Sequence, residues 1–159
     1  MIVLYILLGI VAVSLIYIFC LYNALVKAKN NNEEAFATMD VYLKKRWDLV
    51  PNLVETVKGF AKHEKETFKE IVDLRSNSYG SMTTNEKIEA NNKLSQNLTK
   101  LLAVAENYPT LQTNTNFQEL NNQLAIIEDE IANSRKYYNA TAKVLNNNRS
   151  AKGKLKKGD

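Results

Sequence analysis

Residues 116–145 read NFQELNNQLAIIEDEIANSRKYYNATAKVL. Phe117, Leu120, Leu124, Ile127, Ile131, Ser134, Tyr138, Thr141 and Leu145 recur at alternating steps of three and four, with charges and Asn between them. That spacing draws one seam along a helix and does not alternate as a strand would. Asn114 or Asn116 stands ready to cap its N-terminus, with Glu119 in the first turns.

Working outward, Asn91, Leu94, Leu98, Leu101, Ala105 and Tyr108 place a second seam on a helix from about Asn85 to Asn107. It ends at Tyr108-Pro109, because the residue before a proline resists the helical region. Leu53, Val57, Phe60, Thr67, Ile71 and Leu74 mark another helix from about Leu49 to Arg75, and Ser76 to Thr84, with Gly80, is its exit loop. Leu25, Asn32, Phe36, Met39, Leu43 and Val50 give the inner face of the first soluble helix. Hairpin dipeptides and β-branched clusters outside the N-terminal run are missing. The fold class is therefore all-α: an antiparallel four-helix bundle of long helices, continuous with an N-terminal transmembrane helix. The joint at Asp48-Leu-Val-Pro51 reads two ways. Asp48 caps a new helix with Pro51 in its first turn, or the helix runs through with a kink and turns next at Gly59 to His63.

Composition agrees with helices. Five Gly and two Pro are few for 159 residues, and the net charge of +4 is mild and locally uneven. The single Cys20 excludes an intramolecular disulfide and gives no sign of an oxidising compartment. Ile2 to Leu21 carries no charge and is long enough to span a hydrocarbon core of roughly 30 Å. A cleaved signal peptide lacks its basic start and small-x-small site here, and a lipoprotein reading of Cys20 meets the bulky Phe19. The chain thus divides into an anchor over 1–21, a bundle over 22–148 and a basic tail over 149–159, expected to be unstructured. Lys27 and Lys29 follow the span closely, so the positive-inside rule favours a single-pass protein with its bundle in the cytoplasm; the extracytoplasmic side is the alternative.

Tyr22-Asn-Ala-Leu-Val26 and, above all, Asp40-Val-Tyr-Leu-Lys-Lys-Arg-Trp-Asp-Leu-Val-Pro-Asn-Leu-Val54, continuing to Glu64, resemble the LemA family. Leu101-Leu-Ala-Val-Ala-Glu-Asn-Tyr-Pro-Thr-Leu111, Asn116-Phe-Gln-Glu-Leu120 and Arg135-Lys-Tyr-Tyr-Asn139 extend the likeness, in order, to about Val144. The resemblance implies a bacterial, membrane-anchored, mainly helical protein with no established enzyme activity. One branch of that family is associated with forming an organelle from membrane. Many members end in a hydrophobic tail with Phe-Pro. Here Asn146-Asn-Asn148 leads instead into basic residues, so a role resting on that tail does not transfer.

Catalytic chemistry finds little support. His63-Glu64 opens like a zinc-protease motif, but Thr67 stands where the second histidine belongs. One histidine and one membrane cysteine make no ordinary zinc site, and isolated glycines make no phosphate loop, so no cofactor is expected. Lys44, Lys45, Arg46 and Trp47 form a candidate contact for a second protomer or a partner; the plainer reading is a solvated helix end with Arg46 paired to Asp48 or a neighbouring helix. Arg149, Lys152, Lys154, Lys156 and Lys157 are candidates for anionic-lipid contact, the plainer reading being a solubilising tail. Nucleic acid is not expected, since no aromatic residues interleave with the charge. Asn32 and Asn91 fall on inner seams, where a buried Asn can set register. The reading that follows is a non-enzymatic scaffold that self-assembles on the bilayer as a homo-oligomer. A monomeric adaptor for another membrane protein, such as a protease or signalling partner, is the alternative, and a sensor with a ligand in the bundle core is a third.

Overall fold

A computed structural model describes the backbone of residues 2–75 and 78–157 and the side chains of residues 2, 4–75 and 78–150. The described elements are α1 (Ile2–Phe60), α2 (Lys65–Leu74), a short 3-10 turn (Tyr79–Ser81), α3 (Thr84–Glu106), α4 (Pro109–Gln112) and α5 (Thr115–Lys157), with no strand among the described residues. The protein is all-α, with a long apolar helix at its N-terminus. Of the two readings of the joint, α1 realises the second: it runs through Pro51 and breaks only after Phe60. The helix expected over Leu49 to Arg75 is therefore divided. Its first half belongs to α1, and the turn over Ala61–Glu64 separates it from the ten-residue α2. Proline removes one helical N–H, yet Trp47, Val50, Leu53 and Val54 are all buried around it. Side-chain burial on both sides of Pro51 outweighs the lost bond.

The chain forms two compact units. The first holds α1 through Met39 and α5 from Asn133 onward. The two segments run antiparallel, since Asn32 pairs with Thr141 (3.3 Å) and Phe36 meets Tyr138 edge-on with ring centroids 5.7 Å apart. Ala28, Ala35, Met39, Ser134 and Leu145 are buried in it. N-terminal to these, the apolar side chains of α1 have no protein cover: those of Ile2 and from Leu4 to Phe19 are exposed.

The second unit spans Asp40–Ala132. In it α1 from Asp40, α2, α3 and α5 through Ala132 alternate in direction. Glu70 of α2 bonds Lys100 of α3, while Leu74 lies beside Ala90, so these two helices are antiparallel. Ser95 lies beside Glu128, and Ala105 beside Phe117, so α3 and α5 are antiparallel as well. The seams read from sequence face inward: Asn91, Leu94, Leu98, Leu101 and Ala105 on α3, and Phe117, Leu124 and Ile131 on α5, are buried. Local chemistry sets the boundaries. Thr83 and Glu86 form a reciprocal capping box at the start of α3. Tyr108 precedes Pro109, which opens α4. The Asn114 side chain accepts the Phe117 N–H at 3.0 Å and caps α5, as one of the two expected residues. At the other end α5 continues as helix to Lys157, where the sequence suggested an unstructured tail from Arg149.

Candidate functional site

The sequence segment most suggestive of a contact, Lys44-Lys45-Arg46-Trp47, divides by helical geometry. A helix turns about 100° per residue, so four consecutive side chains cannot share one face. Lys44 and Lys45 are exposed, while Arg46 and Trp47 are 1% and 3% exposed, inside the second unit. Lys44 bonds Asp48 one turn on (2.6 Å), and the Lys45 ammonium lies 5.3 Å from the centre of the Tyr42 ring. Of the two partners foreseen for Arg46, the neighbouring helix is the actual one.

Arg46 joins three helices. Its Nη1 donates to Glu128 Oε1 of α5 (2.6 Å) and to Ser95 Oγ of α3 (2.8 Å). Nη2 donates to the Asn91 carbonyl (2.8 Å) and to Asn91 Oδ1 (3.0 Å), and Nε donates to the same Oδ1 (3.3 Å). A guanidinium carries five N–H groups, and all five have acceptors here. Asn91 is itself held, donating from Nδ2 to the Lys87 carbonyl (3.0 Å) one turn earlier. A buried cation is tolerated only when paired and fully hydrogen-bonded, and Arg46 meets both conditions.

A second polar cluster adjoins it. The Tyr79 hydroxyl donates to Asp40 Oδ1 (2.7 Å), and Lys87 Nζ donates to Asp40 Oδ2 (2.6 Å). Lys87 also lies 5.0 Å from the centre of the Tyr79 ring, and Tyr79 packs on Trp47 at 5.3 Å between ring centroids. The Arg75 guanidinium lies over the Trp47 ring, 5.6 Å from its centre. Burial, reinforced by the Asp40 carboxylate that holds its proton, pushes the Tyr79 hydroxyl well above its ordinary pKa. Tyr79 therefore stays a neutral donor, and both oxygens of Asp40 are engaged.

A match to the LemA family model covers residues 35–152, well over half of the chain and all of this network. The chain belongs to the LemA family. Among curated proteins no sequence matches it. The likeness read from Tyr22 thus begins later in the family match, at Ala35, and the apolar start of α1 lies outside it. Within the LemA region, the signature Asp40 to Val54 supplies Asp40, Arg46 and Trp47 to these two adjoining clusters, with Arg46 and Trp47 buried and Asp40 half-buried. Among the described residues no group of three His, Cys, Asp or Glu side chains could hold a metal ion. His63 is exposed in the turn after α1. Of the candidate lipid contacts, Arg149 is exposed on α5; the side chains of Lys152, Lys154, Lys156 and Lys157 lie outside the described residues. Sequence reasoning missed Tyr79, Lys87, Ser95 and Glu128. The one available signal was Asn91 on an inner seam, since a buried Asn requires a polar partner.

Proposed function

We propose that this LemA family member is a non-enzymatic, membrane-anchored scaffold that self-assembles on the bilayer, with its helical bundle on the cytoplasmic side. The observation that carries the reading is the bare apolar surface of α1. Fourteen large apolar side chains between Ile2 and Phe19 are 55–77% exposed. Burying one such side chain is worth about 1.5–3 kcal/mol, so leaving them all in water costs on the order of tens of kcal/mol. That exceeds the roughly 5–15 kcal/mol that holds a typical domain together, so this surface requires a lipid or protein cover. α1 is long and apolar enough to cross a membrane. Lys27 and Lys29 beyond the apolar run support the cytoplasmic side.

The network around Arg46 supports a scaffold over a reactive centre. Its donors and acceptors are engaged with one another, which stiffens the junction of α1, α3 and α5 and leaves no Arg46 donor for a substrate. A stiff module carried on one span is suited to assembling side by side in a membrane. The test is full-length protein purified in detergent and reconstituted into liposomes, then examined by cross-linking and electron microscopy. Clustered assemblies are expected. Protein that stays monomeric in both settings overturns self-assembly and favours an adaptor, which a stable complex with a different membrane protein would then identify.

A further inference from the structure

We propose that a basic groove between the end of α1 and α2 is the docking site for the acidic face of α5 of a second copy of this chain. The groove, about 420 Å³, is lined by Lys58, Lys62, Lys65, Phe68, Lys69 and Val72. Every lining residue is therefore either basic or apolar. Lys58 is paired with Glu55 (2.8 Å) and reaches over Phe68. Lys62, Lys65 and Lys69 are exposed, and among the described residues none of the three has a carboxylate partner. Phe68 forms a buried floor and Val72 is 54% exposed beside it. Like charges gathered around an uncovered apolar strip disfavour the free state and match a partner that brings both acid and an apolar side chain.

The same compact unit presents that complement on another element. Glu119, Ile126 and Asp129 fall at steps of seven and three along α5, on one exposed face. Ile126 is 64% exposed, an apolar knob with acid on either side. Among the described residues the Glu119 carboxylate takes only a Gln123 amide across one turn (3.2 Å). Ile126 suits the Phe68–Val72 strip, and Glu119 and Asp129 suit the lysine rim. A headgroup of an anionic lipid satisfies the lysines alone and leaves Val72 uncovered, so the paired charge and shape favour protein. Because groove and knob are different surfaces, the contact is heterologous, and copies join head to tail in rings or open arrays.

This inference rests on the self-assembly proposed above and assigns its interface. The experiment measures assembly of full-length protein in phosphatidylcholine liposomes, with a second arm containing phosphatidylglycerol. Lys62→Glu with Lys69→Glu, or Glu119→Lys with Asp129→Lys, should each raise the concentration for half-assembly about tenfold or more, because like charges then meet across the contact. Combining the two sets should restore assembly. Ile126→Ala tests the apolar part without altering charge and should weaken assembly too, while helical circular dichroism stays unchanged in every variant. Assembly in phosphatidylcholine that is unaffected by the lysine reversal overturns this interface while self-assembly stands, and a loss confined to the phosphatidylglycerol arm makes the groove a lipid contact. A combination that fails to restore assembly overturns the pairing. Wild-type protein that never assembles overturns the scaffold reading itself.

Discussion

Arg46 and Glu128 are joined at 2.6 Å although the Arg46 side chain is 1% exposed and the Glu128 side chain 41% exposed. The cation is sealed while its counter-ion reaches water. This asymmetry lowers the cost of the pair, since only one charge is fully desolvated, and it makes the two residues unequal in what they contribute. Glu128 is one of three residues that serve Arg46. Arg46 donates to all three, Asn91, Ser95 and Glu128.

Arg46→Ala should therefore be the most damaging single change in the network. It leaves the buried Asn91 Oδ1 and the half-buried Ser95 Oγ without the Arg46 donor and opens a cavity, for an expected loss of about 3–5 kcal/mol. Arg46→Lys keeps the charge but offers three donors where five are used, and should recover only part of that loss. Glu128→Gln keeps an oxygen acceptor for Nη1 but takes the carboxylate from a sealed cation, and should cost about 1–3 kcal/mol, less than Arg46→Ala. Denaturant unfolding in detergent micelles, followed by circular dichroism, checks this order. Equal effects at both positions contradict the asymmetry.

The box at the start of α3 predicts an acid response. Hydrogen bonds from the Thr83 backbone N–H and hydroxyl hold Glu86 below its ordinary pKa of 4.5. A depressed carboxylate contributes stability that is present above its unfolded pKa and lost as pH falls through the folded value. Stability should thus drop below about pH 4.5 as the Glu86 carboxylate takes up a proton. Thr83→Ala should cost about 1 kcal/mol at neutral pH and shrink that acid-dependent drop. Comparing wild type and variant across an acid series measures both effects, and a variant that keeps the full drop argues against the box as its source.

At the alkaline end the Tyr79–Asp40 pair works in the opposite sense. Folded Tyr79 holds its proton beyond the ordinary value of 10.0. Its extra stability is complete below that value and declines as pH rises, because the unfolded chain ionises first. Tyr79→Phe should cost about 1.5–3 kcal/mol at neutral pH, the worth of a hydrogen bond to a charged acceptor. The gap between wild type and variant should narrow at strongly alkaline pH. A gap that stays constant through the alkaline range excludes Tyr79 ionisation as the cause.

Helical seams were legible because they are local. Alternating steps of three and four along 117–145 place apolar residues on one stripe, whatever the stripe packs against. Pro51 was misleading for the converse reason. Its local cost is visible in the sequence, but the burial of Trp47, Val50, Leu53 and Val54 that overrides it arises only on packing. The network was legible in part. Arg46 and Trp47 drew notice as residues suited to an interface, and they are interface residues between helices of one chain. The acceptors of Arg46 lie 45, 49 and 82 residues away, beyond the reach of any local pattern. Tyr79 sits in a short turn with no period to mark it.

The exposed start of α1 gives the prediction on which the membrane reading depends. Removing residues 2–21 removes all fourteen uncovered apolar side chains between Ile2 and Phe19 and leaves both buried cores, which begin at Ala28 and at Leu43. The truncated protein should move from the membrane fraction to the soluble fraction and retain the helical signal of the remainder. For sidedness, Lys27→Cys in a Cys20→Ser background places one thiol beyond the apolar run. It should resist an impermeant thiol reagent in intact cells and react after lysis. Labelling before lysis puts the bundle outside, and full-length protein that fractionates as soluble removes the anchor altogether. Retention of the truncated protein on membranes has a different meaning. It points to a second lipid contact, with the basic stretch from Arg149 to Lys157 as the next segment to delete.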